Sequence, residues 1–193
     1  MSLWLVRFLT HVDEAANLTP AVLLTKEQVA NRVRELAEQI SADYAGRQLL
    51  VIGVLKGSWI FLADLVRLIS IPVTVDFMMA SSYGAGTNSS GEVKIALDLK
   101  APVEGRDILV VDDILDSGLT LKQIIDNLML RRPRSLRVVV LMDKPDRRRV
   151  DIKSDYVGFK IPNKFVVGYG VDFAERFRNL PYIGYIEEPE AKG

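Results

Sequence analysis

Residues 108–121 read Ile-Leu-Val-Val-Asp-Asp-Ile-Leu-Asp-Ser-Gly-Leu-Thr-Leu, and this stretch decides the fold. Ile108, Leu109, Val110 and Val111 form a continuous apolar run, as expected of a parallel strand buried on both faces. Two adjacent carboxylates, Asp112 and Asp113, are expected to end that strand. Asp116, Ser117 and Gly118 follow, residue types that favour turns and helix N-caps. From Thr120 the spacing turns helical, with Leu121, Ile124, Ile125 and Leu128 on one face.

A strand, a short polar loop and a helix start make an anion site. The first N–H groups of a helix lack intrahelical partners, and the helix dipole favours negative charge there. Gly118 lets the backbone approach a phosphate closely, and Ser117 and Thr120 add hydroxyl donors. Carboxylates beside a phosphate site repel the phosphate, so they need another purpose. Two suit them: accepting hydrogen bonds from sugar hydroxyls, or holding Mg²⁺ directly or through water. Phosphate, diol and metal side by side describe a phosphorylated ribose. An ordinary strand–loop–helix with surface acids, or a receiver-like acidic pocket, are the competing readings; in the latter an Asp pair belongs after the first strand.

Outward from this stretch the chain alternates strands and helices. Thr25 and Gln28 form a capping box ahead of Val29, Val33, Leu36 and Ile40, which predicts a helix to about residue 42. Residues 48–55 predict a central strand, and Phe61, Leu62, Leu65 and Leu68 a second helix. Further strands are expected over 71–78, 92–99, 136–142, 156–159, 165–169 and 182–186, with one helical turn over 173–179. Residues 80–91 are rich in Ser, Gly and Asn and predict a mobile loop. The alternation argues for an α/β fold, a mostly parallel central sheet flanked by helices on both faces, with ligands at the carboxyl ends of its strands. Lys56-Gly57, Asp112 to Thr120 and Lys144 all fall at such ends.

Composition narrows the function. The 193 residues carry 25 Lys+Arg and 25 Asp+Glu, a net charge of zero, which argues against broad electrostatic binding to nucleic acid or an anionic membrane. There is no Cys, so thiolate nucleophiles, disulfides and cysteine metal sites are excluded, and the composition fits a reducing cytoplasm. Residues 3–9 are apolar but short and interrupted by Arg7, and read as a strand or packed arm, not a signal peptide. No run is long enough to cross a bilayer. The sequon at Asn88 is read as chance, and His11 as surface or structural.

The central stretch resembles the phosphoribosyl pyrophosphate (PRPP) signature of type I phosphoribosyltransferases: apolar strand, two acids, two apolar residues, Asp, Ser or Thr, Gly, any residue, Thr. From about residue 49 to residue 186 the chain is similar to the branch of that family acting on hypoxanthine and guanine in purine salvage. The resemblance implies one domain over residues 1–193, with a core of about 26–160 and a small hood from about 1–25 and 161–193. It implies that Asp112, Asp113, Asp116, Ser117, Gly118, Leu119 and Thr120 hold the ribose and 5-phosphate of PRPP, and that Asp116 is the general acid/base. Lys56 and Gly57, in a Leu-Lys-Gly turn often built on a cis peptide in the family, would line the pyrophosphate subsite with Arg178, Ser82 and Tyr83. Lys144 would donate to a purine 6-oxo group, Phe165 would stack on the base, and the Val166 backbone would bond its edge. Asp172 would lie near the 2-position and hold a second Mg²⁺, with Asp112 and Asp113 at the first. Arg148 matches a further position near the closed site.

Two positions depart from the pattern: Asp112 stands where many relatives have Glu, and Leu119 where Lys is frequent. The resemblance also implies a homodimer or homotetramer, with PRPP and a 6-oxopurine as its small-molecule partners and no nucleic acid. A regulator of the same fold, sensing PRPP or purines and binding nucleic acid, is the other function class. Its basic patch would come from Arg131, Arg132, Arg134 and Arg147 to Arg149.

Overall fold

The central apolar run is the middle of the main sheet. In the computed structural model, which describes residues 18–82 and 93–187, strand β5 (Asp107–Leu115) lies between β2 (Leu49–Leu55) and β6 (Ser135–Asp143). Outside these lie β3 (Val73–Ser82) and β4 (Val93–Leu97) on one side and β7 (Tyr156–Lys160) on the other, in the order β4-β3-β2-β5-β6-β7. Every pairing is parallel except β3 with β4. Side chains alternate across a strand, so a run apolar at every position must be covered on both faces. Val51, Leu109 and Val111 pack against α1 (Lys26–Asp43) and α2 (Trp59–Leu68), through Leu36, Ile40, Phe61 and Leu65. Leu50, Ile52, Ile108 and Val110 face α3 (Leu119–Met129), through Leu121, Ile124 and Leu128.

Local rules place the helices. The capping box at α1 is formed: Gln28 N donates to Thr25 Oγ1 at 3.3 Å and Thr25 N to Gln28 Oε1 at 2.8 Å. Such caps contribute about 1 kcal/mol each. Arg32 then ties α1 to the sheet edge, donating to the carbonyls of Val157 at 2.8 Å and Gly158 at 2.9 Å.

A second, antiparallel sheet stands beside the first, with β9 (Ile183–Ile186) between β1 (Ala21–Leu24) and β8 (Phe165–Val167). Ile161, Val166, Tyr169 and Ile183 carry it into the same core as α1 and α2. The buried Tyr169 hydroxyl donates to Asp64 of α2 at 2.7 Å. Burial and that carboxylate push the phenol above its ordinary range.

Four boundaries differ from expectation. β5 does not stop at the acid pair: Asp112, Ile114 and Leu115 stay in register with Val140, Met142 and Asp143 of β6. The acids are accommodated because their own neighbours' N–H groups serve them, Asp113 N on Asp112 and Ile114 N on Asp113, each at 3.0 Å. Residues 173–179 form no helical turn: Ala174, Glu175 and Phe177 take positive φ (51°, 61° and 72°), and a bridge joins Phe173 to Arg176. β8 ends at Val167, because Gly168 turns at φ 97° to bond Val171. β3 runs on to Ser82, held by antiparallel β4. The rest of the polar stretch, Tyr83 included, and residues 1–17 with His11 lie outside the described residues, as does the Ser82 side chain.

Candidate active site

Parallel strands bring their carboxyl ends to one edge, where the next segments leave the sheet. β2 ends at Leu55, and the Leu55–Lys56 peptide is cis. Gly57 follows, then buried Ser58, whose hydroxyl returns to the Val54 carbonyl at 2.6 Å. β5 delivers the Asp116–Gly118 loop, and β6 delivers Lys144.

The loop after β5 forms a cradle at a helix N-terminus, a geometry that suits an anion. Gly118 caps α3 in the left-handed region (φ 82°) and has no side chain to serve the first-turn amides, of which Leu119 N makes one long contact to Ser117 Oγ at 3.4 Å. A Cβ at position 118 would overlap Ile152, so glycine is required twice, for conformation and for space. Asp112, Asp116, Ser117, Gly118 and Thr120 line a recess of about 100 Å³ here. Arg148 fixes its shape by donating to the carbonyls of Leu115 (3.1 Å) and Asp116 (2.6 Å) while pairing with Asp143. Arg149 N donates to Ser117 O at 2.9 Å and Lys144 N to Leu115 O at 3.0 Å, so the segment after β6 is stitched to the cradle.

Asp112 of the acid pair lines the recess. Asp112 is 8 % exposed. Burial, then repulsion by Asp113, pushes it well above the usual carboxylate range; burial raises Asp113 too, against its hydrogen bonds and the pull of Arg178. A Cβ at Gly57 would overlap the Asp113 carboxylate, and one at Gly170 would overlap the Gly57 carbonyl. The Lys56-Gly57 turn is therefore wedged between the acid pair and the loop after β8.

A cavity of about 560 Å³ opens beside the cradle, and its lining includes Ile114, Asp116, Lys144, Arg147, Phe165, Val166 and Asp172. Ile114 and Asp116 line both spaces, so the two are neighbours across one wall. Lys144 is 7 % exposed, and burial lowers its pKa although Asp116 opposes this. Phe165, 46 % exposed, meets Phe173 edge-on with ring centroids 5.3 Å apart. Val166 is buried at the centre of β8, an edge strand with one row of backbone groups turned away from β9.

On the far side a chain of charges runs across the loop after β8. Lys56 Nζ meets Glu175 Oε1 at 3.2 Å, and Arg178 Nη2 meets Glu175 Oε2 at 3.2 Å and Asp172 Oδ1 at 2.9 Å. Arg178 Nη1 also donates to the Gly170 carbonyl at 2.9 Å. The hydrogen bonds from Lys56 and Arg178 hold the Glu175 carboxyl below its ordinary range.

The sequence-predicted residues thus gather at one sheet edge, with Ser82's side chain and Tyr83 outside the described residues. Sequence reasoning missed Glu175, the Arg147 Nε contact to Asp116 Oδ1 at 3.1 Å, and Ile114 as the shared wall. No pattern signalled Glu175; Arg147 was visible only as one of three consecutive arginines. Among the described residues no group of three or more His, Cys, Asp or Glu could hold a metal ion.

Residues 22–174 match the family model of the phosphoribosyl transferase domain. The chain belongs to this family. It is 51 % identical over 166 residues, 86 % of this chain and 92 % of the relative, to the hypoxanthine-guanine phosphoribosyltransferase of Bacillus subtilis (strain 168). It is 52 % identical, again over 86 % of this chain, to the bifunctional protein TilS/HprT of Listeria monocytogenes serotype 4b (strain F2365), of which the chain spans 26 %. Among solved structures, a hypoxanthine-guanine phosphoribosyltransferase from Bacillus anthracis aligns with TM-score 0.82 at 45 % identity, covering 88 % of this chain and 100 % of that one. A hypoxanthine phosphoribosyltransferase from Staphylococcus aureus aligns with TM-score 0.83 at 49 % identity, covering 86 % and 90 %.

Proposed function

We propose that the chain transfers 5-phosphoribose from PRPP to N9 of hypoxanthine or guanine, giving IMP or GMP and pyrophosphate. One observation carries this: Lys144 and Phe165, the base-reading pair, line the cavity that shares Asp116 and Ile114 with the anion cradle. The names of the relatives support the same substrates.

The 5-phosphate sits on the amides and hydroxyls of Ser117, Gly118, Leu119 and Thr120, and Asp112 and Asp113 accept from the ribose diol. Lys56, Gly57 and Arg178 receive the leaving pyrophosphate, with Ser82 and Tyr83 assigned to the same subsite. N9 bonds to C1′ as the C1′–O bond to pyrophosphate breaks, and Asp116 takes the imidazole proton. Charge separates between C1′ and the leaving group, so catalysis rests on position and electrostatics. Lys144 donates to O6, Phe165 stacks on the ring, and Val166 bonds its edge.

Mg²⁺ fits the donor chemistry in part. A carboxylate pair raised by burial, and at Asp112 by repulsion from Asp113 as well, is relieved by a cation, whereas Asp172 is already engaged by Arg178. With so few acids gathered, substrate oxygens would complete the shells around a first ion held by Asp112 and Asp113 and a second held by Asp172. When bound, these ions would neutralise pyrophosphate charge.

We also assign the antiparallel sheet, with residues 1–25 and 161–193, as a hood over the core of residues 26–160. We assign the chain further as a homodimer or homotetramer, and as cytoplasmic, the compartment that the cysteine-free composition fits. No helix among the described residues is long and apolar enough to cross a membrane. The nucleic-acid-binding regulator finds no support: Arg131 is engaged with Asp98, Arg134 with Asp107, Arg147 with Asp116 and Arg148 with Asp143, which depletes the basic patch it needs.

The test is a panel of hypoxanthine, guanine, xanthine, adenine and uracil with PRPP and Mg²⁺, following each nucleotide by chromatography. IMP or GMP formation is expected. Turnover of uracil or adenine alone would reject the assignment.

A further inference from the structure

Glu175 places one carboxylate oxygen on each of the two cations assigned to pyrophosphate: Oε1 lies 3.2 Å from Lys56 Nζ and Oε2 3.2 Å from Arg178 Nη2. Its backbone sits in the left-handed region at φ 61°, beside Ala174 at 51°, in a turn closed by the Phe173–Arg176 bridge and by the Glu175 N–H on Asp172 Oδ2 at 2.9 Å. The turn therefore presents this side chain to the two cations. Arg178 is held independently by the Gly170 carbonyl and by Asp172, so it does not need Glu175 to stay in place. The side chains of Glu175 and Lys56 are 62 % and 60 % exposed, so an incoming anion reaches this bridge from solvent.

We propose that Glu175 is an internal stand-in for the substrate diphosphate, occupying Lys56 and Arg178 in the resting protein and competing there with PRPP and with product pyrophosphate. The proposal rests on the pyrophosphate assignment above and deepens it. The diphosphate of PRPP must displace the carboxylate to reach the two cations, and the carboxylate returns as pyrophosphate leaves. Binding is weakened by this competition and product release is helped by it. Exposed ion pairs are individually weak, so the competitor is easily displaced and tunes affinity without blocking the site.

The experiment measures KM for PRPP, Ki for pyrophosphate and KM for hypoxanthine in Glu175→Gln and Glu175→Asp, with a thermal melt to establish folding. Loss of two weak ion pairs corresponds to a ~3–10-fold fall in KM for PRPP and in Ki for pyrophosphate. KM for hypoxanthine should not move. Glu175→Asp separates contact from general field: it keeps the charge but its shorter arm cannot span both cations, so it should behave like Gln. In Lys56→Met the gain from Glu175→Gln should shrink. Wild-type KM and Ki in Glu175→Gln, or wild-type behaviour of Glu175→Asp, would overturn the stand-in. Unchanged KM for PRPP in both Lys56→Met and Arg178→Met would instead remove the pyrophosphate assignment itself, and the stand-in with it.

Discussion

Gly57 lies against the carboxylate of Asp113 so closely that no side chain fits between them. Two segments far apart in sequence, the turn after β2 and the acid pair of β5, are thereby locked at one distance. Gly57→Ala must push Asp113 or the turn aside, and overpacking of this kind costs about 1–3 kcal/mol. Both neighbours belong to the PRPP site as assigned, so kcat/KM for PRPP should fall about 10- to 100-fold while the protein still melts cooperatively. Steady-state kinetics at saturating hypoxanthine checks this, and wild-type kinetics would show that the wedge is not functional.

Asp116 lines both the anion recess and the base cavity, and Arg147 holds its carboxylate at 3.1 Å. Only a group with that double position can meet a proton on the base while the sugar is held below. Asp116→Asn keeps the shape and an acceptor oxygen but removes the basicity. Its kcat should drop by ~10²–10⁴-fold with a smaller change in KM for PRPP. Single-turnover measurements would separate this from slowed product release; a chemical step at the wild-type rate would reject proton transfer by Asp116.

Arg148 fastens the cradle to the segment carrying Lys144 by donating to Leu115 O and Asp116 O and pairing with Asp143. Lys at this position keeps the charge but not the planar fork that serves two carbonyls and a carboxylate together. Arg148→Lys should raise KM for PRPP several-fold. Arg148→Met, which also strands a largely buried Asp143, should cost about 2–3 kcal/mol of stability, somewhat less than a fully buried pair. Urea melts of the two variants decide: equal stability of Met and wild type would mean that the clamp holds nothing.

The parts legible in the sequence are those where one residue type has one physical use. The apolar runs of β2, β5 and β6 had to be covered on both faces, and Thr25 with Gln28 had to begin a helix. Asp116 to Thr120 could be read as a cradle because Gly118, which has no side chain to cap the helix, stands at its start. What escaped depends on partners distant in the chain. β5 continues through Asp112 because β6 offers register as far as Asp143, which no local pattern in residues 107–115 reveals. The helical turn expected over 173–179 does not form, because Arg178, pinned to Gly170 O and Asp172, and the left-handed Ala174, Glu175 and Phe177 fold that segment back on itself. Non-glycine residues with positive φ leave no signature in composition, and the same turn hid the bridging role of Glu175.

Lys144 combines burial with an assigned role, donation to a 6-oxo group, that needs its charge, and under that assignment the two demands pull stability and function apart. Burial lowers its pKa below the ordinary lysine value. In the folded chain it therefore holds its proton less tightly than when unfolded, so the unfolded state binds more protons between the lowered folded value and about 10.4. Stability from this group accordingly rises with pH across that window, and the charged form is a burden at neutral pH. Lys144→Met, similar in length and without charge, should raise the melting temperature of the ligand-free protein at pH 7.5 by roughly 2–4 °C, equivalent to about 1 kcal/mol. The gain should shrink as pH climbs into that window, where the folded wild-type lysine gives up its proton. The same variant loses the donor assigned to a 6-oxo group, so kcat/KM for hypoxanthine should fall and preference over adenine should narrow by at least about tenfold, the loss of one charge-assisted hydrogen bond. Melts at pH 7.5 and within that window, paired with competition between hypoxanthine and adenine, give both readouts. A variant less stable at pH 7.5 would contradict the burial argument, and undiminished discrimination would take base recognition away from Lys144.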